Sequence, residues 1–118
     1  MAGALEQVHN RIREQIESGK MHVPRIVVNV NSRYRAHDIA NALYEAFNAI
    51  VKSWLDGSGN GPDAIDARVA EVEVCVGSEC AATWILVNAG LSDHEVEKLV
   101  NALARLIDIL APSLRPTA

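Results

Sequence analysis

Residues 71–88 constrain the fold most, because they predict a β-hairpin whose two strands differ in pattern. The first strand alternates between valine on one side and glutamate or cysteine on the other. The second strand, residues 80–88, is apolar on both sides. Gly77 suits the first turn position of a type II′ hairpin, which requires a positive φ. The chain must therefore bury one face of the first strand and both faces of the second.

The segments around the hairpin complete the order α-β-α-β-β-α in one domain of 118 residues. Residues 1–19 predict an amphipathic helix over 4–18 with Gly19 as its C-terminal stop. A strand with alternating apolar residues follows at 26–30, and Ser32 is a candidate N-cap for a helix to about Leu55.

The last helix is predicted from its ends. Ser92 and Glu95 form an S-x-x-E capping box at its start. Pro112 is expected to end it, which leaves residues 112–118 as a loose tail.

The element order predicts an α+β fold with a three-stranded sheet. A strand, a long helix and a second strand make a crossover, which is right-handed in nearly all proteins. The hairpin's second strand is expected to lie between its two predecessors, which gives the sheet order 1-3-2 with two long helices on one face. This architecture resembles a ferredoxin-like sheet that lacks its last strand.

The 1-3-2 order would make residues 80–88 the central strand, with Trp84 and Leu86 on the face away from the long helices. Val69 is expected opposite Leu86. The N-terminal helix has only a narrow apolar stripe to cover this face: Leu5, Val8, Ile12 and Ile16. We therefore predict a homodimer in which this helix and a second copy share the cover, either by docking or by exchanging the helix between protomers.

A candidate anion site lies where the first strand ends and the next helix begins. Backbone N–H groups and the helix dipole favour anions there. The polar and basic side chains of this segment are Asn31, Ser32, Arg33, Arg35 and His37. They are candidates for binding a phosphate or carboxylate group, but the favoured explanation is that Ser32 caps the helix and the two arginines form salt bridges to nearby acidic residues.

The turn at Gly77 places Cys75 directly opposite Cys80 in a pair without mutual backbone hydrogen bonds. A cross-strand disulfide is geometrically allowed. Two reduced thiols are favoured if the protein is cytoplasmic. Because no second Cys or His pair accompanies them, the sequence predicts no metal site here.

The glycine-rich loop after the long helix partly resembles a calcium loop. Asp56, Ser58 and Asn60 occupy its first, third and fifth positions. Position twelve is Ala67, where such loops carry a bidentate glutamate. A flexible loop is favoured, and we expect neither a metal nor a cofactor.

Charge and motifs narrow the functional class. The net charge of −4 disfavours nucleic-acid binding. No apolar run spans a membrane and the N-terminus does not resemble a signal peptide, so a cytoplasmic location is expected. No strong catalytic motif is present. The sequence favours a small non-catalytic, dimeric binding or regulatory module, for example an inhibitor of a partner protein. The alternative is a small enzyme or ligand-binding domain that holds an anionic group at residues 29–37.

Overall fold

The computed structural model describes residues 3–58, 61 and 65–114, without the side chains of 58 and 111–114. Three helices and a three-stranded mixed sheet follow the order expected from the sequence, which confirms the α+β class. The elements are α1 (Ala4–Glu17), β1 (Arg25–Asn29), α2 (Ala36–Ser58), β2 (Ala67–Val76), β3 (Glu79–Asn88) and α3 (Asp93–Leu114).

The sheet order is β1-β2-β3, so the predicted 1-3-2 order and its ferredoxin-like arrangement are wrong. β1 pairs with β2 in parallel, and β2 pairs with β3 in antiparallel. The prediction inserted the second strand of the hairpin between the two strands that the crossover joins, whereas those two strands pair directly with each other. In the structure β3 is an edge strand, and α1 buries only one end of its second face.

The main core lies between one face of the sheet and helices α2 and α3. Alternate residues of each strand point into it, as the period-two pattern predicts. The two long helices therefore share one face of the sheet, as expected. The largest fully buried side chains of this core include Phe47, Ile39, Leu43 and Ile85.

Helix α1 packs on its own chain, against the opposite face of the sheet and the end of α2. Val8 and Ile12 are buried against Val69 and Leu86 of the sheet and Val51 of α2. The predicted register of Val69 opposite Leu86 is confirmed. Leu5 and Ile16, the other stripe residues, are partly buried against this second cluster.

Local signals at the ends of α1 and α3 are confirmed. After α1, Gly19 has a φ of 75°, and the N–H groups of Gly19 and Lys20 donate to the carbonyls of Ile16 and Gln15, which is a Schellman motif. In the capping box of α3, the Ser92 N–H donates to Glu95 Oε1 at 3.0 Å and the Glu95 N–H to Ser92 Oγ at 3.1 Å.

Helix α3 continues through Pro112 to Leu114, past the residue at which the sequence analysis ended it. Proline removes one backbone N–H but its fixed φ is helical, so the backbone geometry of a last turn remains accessible. Residues 115–118, the rest of the predicted tail, lie outside the described part of the chain. Among the helices that the structure describes, none is both long and apolar enough to cross a membrane.

Candidate protein-binding surface

The sheet face opposite α2 and α3 is only partly covered. Helix α1 covers the end that contains Ala67, Val69 and Leu86. At the other end, Val27 is 50% exposed and Trp84 is 47% exposed. We call this uncovered end the open face.

The open face also carries charge at its centre. Glu71 of β2 lies beside Trp84 of β3, and Glu73 lies beside Ala82. Arg25 Nη2 forms an ion pair with Glu73 Oε2 at 3.1 Å. Apolar side chains on β1 and β3 therefore flank a charged strip along β2.

The edge of β3 presents backbone hydrogen-bonding groups away from β2. The two-residue turn pairs Val76 with Glu79, and Gly77 has a φ of 60°, as expected for a type II′ turn. Cys75 and Cys80, the next pair, have their Cα atoms 4.1 Å apart, as in a pair without mutual backbone hydrogen bonds. By alternation, the N–H and C=O groups of Cys80, Ala82 and Trp84 point outward.

The β3 side chains on the face opposite α2 and α3 differ in burial. Leu86 is 2% exposed beneath α1, whereas Cys80, Ala82 and Trp84 are exposed. A cleft of about 190 Å³ beside Trp84 is bordered by Tyr44 of α2 and His9 of α1. Of the interface residues predicted from sequence, Trp84 alone is exposed. Leu86 and the apolar stripe of α1 pack against each other within the chain.

The junction between β1 and α2 is held by intramolecular contacts. Helix α2 begins at Ala36, so Ser32 is not its N-cap. Instead, Ser32 Oγ donates to Asp108 Oδ1 of α3 and accepts from the Tyr34 N–H at 3.0 Å. The role predicted for Ser32 passes to Glu79 of β3, whose Oε1 accepts from the Ala36 N–H at 3.1 Å.

The two arginines of the predicted anion site have separate partners. Arg35 Nη2 donates to Glu79 Oε2 at 2.8 Å. Arg33 lies over the Tyr34 ring at 5.1 Å and donates to its hydroxyl at 3.1 Å. Arg35 holds the pKa of the Glu79 carboxyl below its ordinary value, chiefly through this hydrogen bond, and the Ala36 N–H adds to the effect.

The remaining residues of that segment lie apart from the arginines. Asn31 and Ser32 border a shallow groove of about 570 Å³ that Cys75 and Gly77 close on the other side. His37 Nε2 lies 3.3 Å from the Asn41 amide nitrogen on the surface of α2. The structure therefore does not bring Asn31, Arg33, Arg35 and His37 together around one pocket.

Cys75 and Cys80 are joined by a disulfide, whereas the sequence analysis favoured two reduced thiols. Cys75 is buried at 7% exposure and Cys80 is exposed. A carboxylate oxygen of Glu73 and the two sulfur atoms all lie within 4.8 Å of one another. The sequence analysis did not group Glu73 with the cysteines, although it lies two residues before Cys75 on the same side of the strand.

Two further segments complete the surface. Of the calcium-like loop, Asp56 lies in the last turn of α2, while the Ser58 side chain and the whole of Asn60 lie outside the described residues. Helix α3 exposes an apolar stripe on the side away from the core. Its members are Leu99, Leu106, Ile109 and Leu110.

No protein-family model matches this chain, and neither a curated protein nor a solved structure is significantly similar to it.

Proposed function

We propose that the protein is a small non-catalytic binding module that works as a homodimer, formed by pairing of two β3 edges. The exposed edge from Cys80 to Trp84 is the observation that carries this proposal. It contains no proline and no charged side chain, and natural proteins use such residues to block edge pairing.

Edge pairing is favoured over stacking of two open faces. Stacking would bury Glu71 and Glu73, and only Glu73 has an ion-pair partner among the described side chains. Edge pairing leaves both carboxylates in water. It also places Trp84 against a second strand, which removes apolar surface from solvent.

A two-fold axis at Ala82 lets the outward-pointing backbone N–H and C=O groups of β3 form hydrogen bonds with those of the second copy. Antiparallel pairing around that axis sets Ala82 opposite Ala82 of the second copy, and Cys80 opposite Trp84. At each end of the contact, the small Cys80 side chain of one copy then lies beside the large Trp84 side chain of the other. The two sheets would join into one of six strands.

Sedimentation velocity on the wild-type protein and on Ala82→Pro tests this arrangement. The Ala82 N–H points away from β2, so proline at this position removes an intermolecular donor and leaves the β2–β3 ladder intact. We expect a concentration-dependent dimer for the wild type and a folded monomer for Ala82→Pro. Circular dichroism of both proteins verifies that the fold is kept.

Ala82→Lys provides a second variant, because it places two like charges at the axis. Its matched control is Ala102→Lys, which adds the same charge at an exposed position of α3. We expect the first change to abolish the dimer and the second to preserve it. A wild type that stays monomeric at every concentration, or a dimer that tolerates Ala82→Pro, contradicts the proposal.

A further inference from the structure

We propose that the reduced form of the protein binds a zinc ion through Glu73, Cys75 and Cys80. The disulfide joins Cys75 and Cys80, and Glu73 lies next to it on the open face. The three donor atoms lie within 4.8 Å of one another, although they come from two strands.

The hairpin itself brings the three donors together. Glu73 and Cys75 are two residues apart on β2, so their side chains leave the same face of the sheet. Cys80 is the cross-strand partner of Cys75, with the two Cα atoms 4.1 Å apart. The positions of the donors therefore follow from the strand register and not from a mobile loop.

Their chemistry suits zinc. Two thiolates and one carboxylate are ordinary zinc ligands, and a site with three protein ligands leaves a fourth position for water. Zinc holds sulfur at about 2.3 Å and carboxylate oxygen at about 2.1 Å, so neighbouring ligands in a tetrahedron are roughly 3.5–4 Å apart. Rotation of the freed side chains is enough to reach that spacing from the observed one.

Arg25 holds one oxygen of the Glu73 carboxylate. Its guanidinium contacts Glu73 Oε2 at 3.1 Å. The other oxygen is then available to the metal, while the arginine orients the group in the way that outer hydrogen bonds orient metal-binding carboxylates.

Reduction must come before binding. Two molecules of a small thiol transfer two electrons and two protons to the S–S bond, which leaves Cys75 and Cys80 as thiols and joins the small thiols in a new disulfide. Zinc then displaces one proton from each cysteine and binds the two thiolates. Because Cys80 is an exposed residue, a small thiol can approach the disulfide from its side.

The site and the proposed dimer share Cys80 but use different groups of it: the metal binds its sulfur, and the dimer uses its backbone. The metal ligands come from one chain and lie on the open face, whereas the dimer contact uses the outward backbone groups of β3. Ala82→Pro should therefore bind metal as the wild type does, and failure of either proposal leaves the other standing.

The test uses the full chain, reduced with a thiol and then freed of it by anaerobic desalting. Titration with Co²⁺ should produce a sulfur-to-cobalt charge-transfer band that saturates at one ion per chain and disappears when Zn²⁺ is added. The disulfide form should show no such band. Cys80→Ser should lose it, and this exposed position tolerates the change.

The role of the carboxylate is tested by Glu73→Gln against Glu71→Gln, since Glu71 lies on the same face of β2, two residues from Glu73. Loss of an outer-sphere partner alone costs 10–100-fold in metal affinity, so loss of this ligand should cost roughly tenfold or more. Glu71→Gln should leave the affinity unchanged. The inference fails if reduced protein shows no band, if oxidised protein binds equally well, or if the two glutamate variants behave alike.

Discussion

The carboxylate of Glu79 caps the N-terminus of α2 by accepting a hydrogen bond from the backbone N–H of Ala36, 43 residues earlier in the chain. The same carboxylate accepts from Arg35 Nη2 at 2.8 Å. A protein side chain therefore provides the negative charge that the helix dipole favours at this position. The contact ties the hairpin turn to the start of the crossover helix.

Glu79→Gln is expected to lower the melting temperature at neutral pH, because the amide carries no charge for Arg35 or the helix end. The pKa of Glu79 is lowered from its ordinary 4.5, mainly by the Arg35 hydrogen bond. The stabilising effect is therefore present above pH 4.5 and is lost as the pH falls through the lower pKa of the folded state. Thermal unfolding of both proteins should show a difference that narrows in acid.

The matched control is Glu45→Gln, an exposed carboxylate in the middle of the same helix. It should change the melting temperature less than Glu79→Gln does at pH 7. An equal loss in both variants, or a Glu79 effect that persists undiminished in acid, would show that the cap contributes nothing specific.

Substitutions of Arg33 and Arg35 distinguish between two roles for these residues, an internal ion pair and an anion-binding site. Arg35→Ala should destabilise the protein equally in chloride and in phosphate at matched ionic strength, because it removes the partner of Glu79. Arg33→Ala should have little effect in either salt, since its described contacts are with Tyr34 on the surface. An anion-binding role predicts the opposite: stabilisation by phosphate that each variant reduces. Thermal unfolding in the two salts decides between them.

Leu86→Ala is expected to lower the free energy of unfolding by about 2–5 kcal/mol, because Leu86 is 2% exposed beneath α1. Leu86→Glu should prevent folding, since it buries an unpaired charge. Leu106→Ala removes the same atoms from a side chain that is 47% exposed, and should cost less than about 0.5 kcal/mol. Urea denaturation measures all three, and similar values for the two alanine variants would argue against α1 docking in this position.

Ser92→Ala is expected to destabilise α3 by about 1 kcal/mol, the usual effect of removing an N-cap hydroxyl. The change leaves the Glu95 N–H without its present acceptor, Ser92 Oγ. Ser53→Ala, at an exposed interior position of α2, should be neutral or slightly stabilising because alanine favours helices. If urea denaturation gives both variants the same free energy of unfolding, the capping box is not a stability determinant.

Features that depend on neighbouring residues could be predicted from the sequence. The stop at Gly19, the box at Ser92 and Glu95, and the pairing of Cys75 with Cys80 each involve residues no more than about five positions apart. The hairpin register followed from its turn, and it correctly placed Val69 opposite Leu86. Backbone geometry allows few alternatives over such short separations.

Which helix or strand packs against each face and edge of β3 could not be predicted in the same way. Apolar residues on both faces of β3 are compatible with a central strand between two neighbours and with an edge strand partly covered by a helix. Only the packed structure distinguishes them: α1 buries Leu86, Trp84 remains half exposed, and β2 takes the central position.

The sequence by itself determined the helices, the strands, their order along the chain and the register of the hairpin, because these depend on local periodicity and turn chemistry. The tertiary structure alone decided the sheet order, the capping of Ala36 by Glu79 and the pairing of Arg35 with Glu79. Each of these depends on contacts between distant segments, and the same pattern of polar and apolar residues is compatible with more than one way of making them.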